Sequence, residues 1–156
     1  MYKHAPENYR CPFCAITHSI EQQDRLSVLS DIVYQNDIVA ALVASHQYPR
    51  NTPNILVVPN EHYENIFELP PALGADIYRV AQQIAFALKR AYNCDGISTR
   101  QHNEPAGSQD VWHYHLHVTP RFNDDWFYND IYNKVKMPVA ARAEHAARVK
   151  SYFMER

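Results

Sequence analysis

Short apolar runs separated by polar turn residues predict five β-strands along this chain. Residues 32–34 and 38–43 are apolar on either side of the turn-like sequence Gln-Asn-Asp, which predicts a hairpin. Residues 55–58 are all aliphatic and are followed by a proline, which predicts a short central strand. The runs at 97–101 and 112–119 predict two further strands.

Helical periodicity follows in two places. After Pro70-Pro71, apolar side chains recur every three or four residues and form one stripe. The stripe consists of Leu73, Ile77, Val80, Ile84 and Leu88. This helix should end between residues 93 and 96, and a second helix should begin near Pro138. The pattern indicates an α+β fold: an antiparallel sheet of about five strands with one long helix and a C-terminal helix.

Length and composition restrict the classes of function. The 156 residues suit a single domain, 1–156, in which 121–156 form a C-terminal extension and helix. Fifteen basic residues face seventeen acidic ones with no run of Lys or Arg, so we expect no nucleic-acid partner. No apolar run approaches the roughly 20 residues that span a bilayer, and the N-terminus has no apolar signal segment. We therefore expect a cytoplasmic protein without a membrane partner.

The sequence His-Tyr-His-Leu-His at 113–117 lies in the last predicted strand. Side chains alternate along a strand, so His113, His115 and His117 should share one open face while the residues between them pack on a helix. Such a face suits either direct ligation of a catalytic zinc or attack by one imidazole on phosphorus. The polar loop upstream favours the second, since it supplies neutral donors for phosphate oxygens. These donors are Asn103, Ser108 and Gln109.

A second motif, Cys11-Pro-Phe-Cys14, fits either half of a zinc site or a redox pair. A redox pair normally opens a helix in a βαβ unit, and the predicted elements do not supply that setting. A structural zinc needs two more ligands to complete a tetrahedron. A disulfide scaffold is not expected, because a chain of this size would need more than its three cysteines.

The stretch from Asn103 through Gln109 to Arg121, with its His-x-His-x-His core, resembles the signature of the histidine triad (HIT) superfamily of nucleotide hydrolases and transferases. The Cys-x-x-Cys motif, the first hairpin, the apolar central strand and the following His62 extend the similarity over most of the chain. The resemblance implies a single HIT domain in which His115 attacks the α-phosphate of a nucleotide.

The same resemblance implies further roles. Asn103, Gln109 and His117 would contact the phosphate or orient the site, and the base and ribose would lie against the first hairpin. The chain is also similar to zinc-bearing bacterial HIT proteins and to galactose-1-phosphate uridylyltransferases, which implies a closed, structural zinc. Its ligands would be Cys11, Cys14, His62 and His113. HIT proteins of this kind commonly pair through the long helix and an edge strand, so a homodimer is implied as well.

Three positions depart from the common HIT pattern. Asn54 stands where a histidine usually precedes the apolar strand, and its amide is expected to replace one hydrogen bond. The ribose-binding position falls on Ala44 or His46. Asp110 stands near the leaving group, where Ser or Thr usually follows the glutamine. An ionised Asp110 would repel phosphate, whereas burial that raised its pKa would make it a general acid, which is the role we expect.

These features predict a nucleotide hydrolase that cleaves a nucleoside phosphoramidate or a dinucleoside polyphosphate at the α-phosphate. The reaction would proceed through a covalent His115–nucleotide intermediate, with His117 and Asp110 as further catalytic residues. Nucleotide or phosphate contacts are expected from Asn54, His46, Asn103, Ser108 and Gln109. The alternatives are a nucleotidyltransferase, in which something other than water takes the nucleotide from His115, and a non-catalytic nucleotide-binding protein.

Overall fold

The fold was obtained as a computed structural model that describes residues 2–20, 26–129 and 132–155. Positions 1 and 21–25 of the expected domain, and positions 130–131 and 156 of its C-terminal extension, lie outside the described residues. The described helices are α1 (Pro12–Thr17), α2 (Pro71–Tyr92) and α3 (Val139–Met154). The strands are β1 (Ile32–Gln35), β2 (Val39–Val43), β3 (His46–Gln47), β4 (Ile55–Pro59), β5 (Gly96–Gln101), β6 (Leu116–Arg121) and β7 (Val135–Lys136).

Five strands form one antiparallel sheet in the order β1-β2-β4-β6-β5, which confirms the predicted α+β fold. β2 and β4 lie in its interior and pair along their full lengths, from Val39 opposite Pro59 to Val43 opposite Ile55. The predicted hairpin joins β1 to β2, where the Asn36 side chain accepts hydrogen bonds from two following backbone N–H groups.

Both faces of this sheet are covered, so β2 and β4 are buried at every position. Ala41 and Val57 belong to a core cluster with α2 and α3. Leu42 and Leu56 point the other way and belong to a second cluster that includes Phe13 of α1. The N-terminal segment is therefore a layer of the fold, which places its cysteines against the same sheet as the histidines.

α2 has the predicted extent and orientation. It begins after Pro70 and ends at Asn93, whose left-handed backbone (φ 49°) and N–H bonded to the carbonyl of Lys89 close the last turn. In the middle of the predicted stripe, Ile77 and Ile84 are at most 1% exposed and face the sheet. Within the described ranges, no helix combines the length and apolarity needed to cross a membrane.

α3 follows Pro138, as predicted, and a buried ion pair lies beneath it. Arg142 Nε donates to Asp31 Oδ1 at 3.0 Å, and both side chains are buried. Ala146 packs into the core, whereas Val139 at the start of the helix is 49% exposed. A buried charge is tolerable only when it is paired in this way.

One strand boundary was predicted wrongly, and one small sheet was missed. The last strand was expected from residue 112 and begins only at Leu116, because residues 111–113 form a bend. The second sheet was not predicted at all: β3 pairs with β7, with His46 opposite Lys136. This small sheet joins the β2–β4 connection to the C-terminal extension and brings that extension toward the histidines.

Candidate active site and metal centre

His115 is held in one orientation by its own segment. Its side chain is 2% exposed, and Nδ1 lies 2.7 Å from the backbone carbonyl oxygen of His113. A carbonyl only accepts, so Nδ1–H donates to it and Nε2 of the neutral ring keeps its lone pair. Burial lowers the pKa of His115, which favours this neutral form. His113, His115 and His117 are all buried, so the expectation of an open histidine face is wrong.

His117 is oriented by Asn54, one of the three residues that depart from the common HIT pattern. Asn54 Nδ2–H donates to His117 Nδ1 at 3.1 Å, a shorter contact than the 3.4 Å between Asn54 Oδ1 and the same nitrogen, while Oδ1 accepts the hydroxyl of Thr119 at 2.9 Å. The proton of the neutral ring is then on Nε2. Burial, followed by the charges of His115 and Lys134, lowers the pKa of His117 well below its usual value. The hydrogen bond expected of the Asn54 amide is therefore confirmed.

A pocket opens beside these two rings, whose centroids are 5.1 Å apart. Its apolar lining residues include Phe13, Leu26, Ala44, Leu56 and Val111. Its polar lining residues include His46, Asn54, Asp110 and Lys134. The pocket thus combines an apolar surface with charged groups, beside the unprotonated Nε2 of His115 and the Nε2–H donor of His117. His46 and Asn54, both expected at a nucleotide, do line it.

Asp110 lies at the edge of this pocket, with Oδ1 3.7 Å from His115 Nε2. Its side chain is 67% exposed, so the burial on which a general-acid role depended is absent. Lys134 Nζ lies 3.9 Å from Asp110 Oδ2 and adds a positive charge at the same place. Sequence reasoning missed Lys134 because it reaches the pocket through the unpredicted pairing of β7 with β3.

The three loop residues expected at the phosphate do not line this pocket. The Gln109 amide donates to two backbone carbonyls, at 2.6 and 3.0 Å, and accepts one backbone N–H at 2.9 Å. Asn103 Oδ1 accepts the N–H of Ile66 at 2.8 Å, and Ser108 is exposed. Gln109 and Asn103 therefore brace the 103–110 loop, and phosphate contacts by these residues stay a prediction.

The four residues expected to bind a metal come together. One potential ligand atom from each of Cys11, Cys14, His62 and His113 lies within 4.8 Å of the others. His113 Nδ1 is 3.2 Å from Cys11 Sγ and 3.5 Å from Cys14 Sγ, and His62 Nδ1 is 3.3 Å from Cys14 Sγ. Tetrahedral zinc, with bonds of about 2.3 Å to sulfur and about 2.0 Å to nitrogen, places sulfur and nitrogen about 3.5 Å apart. The donor set and its spacing fit such an ion.

Hydrogen bonds around the cluster also favour the protonation states of His113 and Cys11 that bind a metal. His113 Nε2–H donates to the carbonyl of Pro59 at 3.0 Å, which leaves the Nδ1 lone pair for a ligand bond. Hydrogen bonds from Cys14 and His113 lower the pKa of Cys11 and favour the thiolate, the form that binds metals. The motif opens a helix that the sequence pattern did not predict, since Cys11 is the N-cap of α1. The strands around it are antiparallel, so this helix is not part of a βαβ unit.

The sequence is similar to those of known proteins. The sequence model of the HIT domain family matches residues 25–124. An uncharacterized HIT-like protein of Saccharolobus solfataricus is 32% identical over 115 residues, which are 74% of this chain and 76% of that protein. A bis(5′-adenosyl)-triphosphatase of Dictyostelium discoideum is 29% identical over 108 residues, 69% of this chain and 71% of its own length.

Solved structures agree with the sequence relatives. A HIT-like protein involved in cell-cycle regulation from Bartonella henselae has a TM-score of 0.76 at 26% identity, covering 96% of this chain and 99% of its own. A zinc-bound histidine triad family protein from Mycobacterium smegmatis has the same fold, with a TM-score of 0.75 at 24% identity over 93% and 94% of the two chains. The family match covers the histidine segment and most of the described sheet, and this chain belongs to the HIT family.

Proposed function

We propose that this HIT protein is a hydrolase that transfers a nucleotide from its substrate to His115 and then to water. The observation that carries the proposal is the pair of oriented imidazoles at the pocket. His115 offers an Nε2 lone pair because Nδ1–H is bound to the His113 carbonyl, and His117 offers an N–H because Asn54 donates to its other nitrogen. A relative with the name of a bis(5′-adenosyl)-triphosphatase supports a reaction of this class.

The proposed chemistry divides one displacement into two. His115 Nε2 attacks the α-phosphorus, a P–N bond forms, and the bond to the leaving group breaks with its electron pair on the departing atom. The His113 carbonyl stabilises the positive charge that the ring acquires, and His117 Nε2–H donates to an oxygen on which negative charge develops. Water then attacks the same phosphorus and loses a proton to solvent. The P–N bond breaks, and nucleoside monophosphate leaves a neutral His115.

The lining of the pocket suits a nucleotide substrate, either a nucleoside phosphoramidate or a dinucleoside polyphosphate. The apolar surface that includes Phe13 and Leu56 is suited to a flat nucleobase, and His46 and Asn54 supply polar contacts to ribose or phosphate. A phosphate contact by Gln109 requires its amide to exchange a backbone partner for a phosphate oxygen.

We also propose that the four-residue cluster binds a structural zinc. Cys11, Cys14, His62 and His113 fill all four positions of a tetrahedron, so the ion would stabilise the fold and would not activate water. The histidine triad protein of similar fold from M. smegmatis is zinc-bound. His113 connects the cluster to the active site, because its carbonyl accepts the Nδ1–H of His115.

The decisive variant is His115→Asn. It should abolish the release of AMP from adenosine phosphoramidate and from diadenosine triphosphate, followed by chromatography, while nucleotide binding persists. Acid-labile labelling of the wild type should map to His115. His18→Asn, which removes an exposed imidazole outside the pocket, is the matched control and should behave as the wild type.

Each failure of this test has a separate meaning. Near-normal turnover by His115→Asn would refute the covalent mechanism. Delivery of the labelled nucleotide to an added acceptor in preference to water would make the protein a nucleotidyltransferase. Binding without turnover in the wild type would make it a nucleotide-binding protein.

A further inference from the structure

A second pocket lies next to the proposed active site and differs from it in character. Its lining residues include Tyr48, Arg100, His102, Ser108 and Lys134. Lys134 lines both pockets, so the two are adjacent. The ring of His102 lies 5.7 Å from that of His117, which places the new pocket beside the proposed donor. Where the first pocket is lined by many apolar side chains, this one is lined by a guanidinium group, an ammonium group, an imidazole and hydroxyl groups.

Arg100 is the most informative of these residues. It lies on β5 directly opposite His117 on β6. Its Nη1 is buried and has no hydrogen-bond partner in the part of the chain that the structure describes. Arg121, on the neighbouring strand, shows the usual arrangement, since its guanidinium forms two hydrogen bonds with Asp125, at 2.7 and 2.8 Å. A buried guanidinium nitrogen without an acceptor is costly unless a ligand supplies one.

Lys134 adds a second positive charge, held in place by aromatic contact. Its Nζ lies 5.6 Å from the ring centroid of Tyr48, and the pairing of β7 with β3 fixes its backbone nearby. Its carboxylate neighbour Asp110 is 3.9 Å away and is largely exposed to solvent, so the pair neutralises the charge only weakly. After burial and the charge of His115, the positive charges of Lys134 and Arg100 are among the causes that lower the pKa of His117, in keeping with their positions beside that ring.

We propose that this second pocket binds the leaving group of the reaction and that its preferred leaving group carries phosphate. This inference rests on the proposed function, since it assigns the two sides of the scissile bond to the two pockets. The nucleotide would occupy the apolar pocket at His115, and the departing phosphate would lie against Arg100 and Lys134. Guanidinium and ammonium groups are the donors that bind phosphate most strongly.

The chemistry of departure supports the same assignment. When the bridging Pα–O bond breaks, its electron pair stays on an oxygen of the departing phosphate, and this anion leaves without needing a proton. Arg100 and Lys134 would stabilise the charge that develops there. The nitrogen of a phosphoramidate must instead gain a proton as the P–N bond breaks, and the neutral amine that leaves offers no anionic charge for Arg100 and Lys134 to stabilise. The pocket therefore favours polyphosphate substrates over phosphoramidates.

The kinetic test compares both substrate types in matched variants. Arg100→Gln and Lys134→Gln should lower kcat/KM for diadenosine triphosphate by about 10- to 100-fold, the effect of losing one charged hydrogen bond. For adenosine phosphoramidate the loss should stay within about threefold, since the deleted contact is absent there. Lys136→Gln removes the same charge two residues further along the chain, on β7 and outside both pockets, and should not change the turnover of either substrate. Equal losses for the two substrates would overturn the assignment.

A binding test decides the proposal even without turnover. In a His115→Asn background, calorimetry should show diadenosine triphosphate binding at least about 10-fold more tightly than AMP, and Arg100→Gln should remove that advantage. If this result is obtained but the wild type hydrolyses neither substrate, the proposed function fails and the phosphate pocket stands. Equal affinities for the two ligands would refute the pocket, whatever the turnover. ATP, measured alongside, separates recognition of a bare polyphosphate from recognition of a second nucleoside.

Discussion

Replacing His117 with asparagine should make the stability of the protein less sensitive to acid. Burial, with the neighbouring charges of His115 and Lys134, lowers the pKa of His117 in the folded protein well below 6.5. As the pH falls through about 6.5, the unfolded chain binds a proton at this position while the folded protein does not. The contribution of His117 to stability is therefore complete above that pH and is lost progressively as the pH falls toward the folded pKa.

The expected size follows from this difference in proton binding. Each pH unit below about 6.5 should destabilise the wild type by about 1.4 kcal/mol relative to the variant. The difference grows by this amount with each pH unit until the pH reaches the folded pKa of His117. For a domain of 156 residues, a urea m-value of about 2 kcal/mol/M converts each such unit into a midpoint difference of about 0.7 M urea.

Urea unfolding followed by circular dichroism at a series of pH values measures the effect. Both proteins should also be compared in a Cys14→Ser background, so that acid release of a metal does not contribute. His18→Asn, an exposed histidine, serves as the control. If the wild type and His117→Asn lose stability in parallel down to about pH 5, His117 takes up its proton while folded, and the neutral ring that the mechanism uses is refuted.

Three further predictions concern the metal, Asp110 and assembly. Cys14→Ser should reduce bound zinc from about one per chain to none, as measured by metal analysis. It should also lower the free energy of unfolding by about 4 kcal/mol and Tm by about 8 to 16 °C, as measured by calorimetry. Asp110→Ser should raise turnover by about two- to fivefold, because an exposed carboxylate beside the phosphate is only weakly repulsive. A fall in turnover that is largest for substrates with poor leaving groups would instead show that Asp110 acts as the general acid. Sedimentation at micromolar concentration should show a homodimer, and Phe86→Glu, at an exposed apolar position of α2, should give monomers.

The parts of the structure that were predictable from sequence are those with local signals. The spacing of Ile77, Ile84 and Leu88 fixes the buried face of α2, and Asn93 ends it through its own backbone preference. The zinc-type cluster was identified through family similarity, although His62 and Cys14 are far apart in sequence. A set of two cysteines and two histidines is uncommon enough to be recognised from its match to the family.

What the sequence did not predict depends on contacts between distant segments. Arg142 is buried because it forms an ion pair with Asp31. The two residues are 111 positions apart in the sequence, so no periodic pattern links them. Lys134 reaches the site because β7 pairs with β3, and two-residue strands have too few positions to show alternation. The histidines were expected on an open face, because alternation within one strand does not reveal that Phe13 of α1 covers it.

Two residues that line the first pocket, Phe13 and Lys134, lie outside the segment that matches the HIT domain family. Phe13 belongs to α1 and Lys134 to the approach to β7, whereas the family match spans 25–124 and contains both His115 and His117. Under the proposed function, part of the nucleotide-binding wall therefore lies outside the segment that carries the proposed nucleophile. Substitutions in either terminal stretch would then change which nucleotide is accepted without altering His115 or His117, so HIT proteins with the same histidines can differ in substrate.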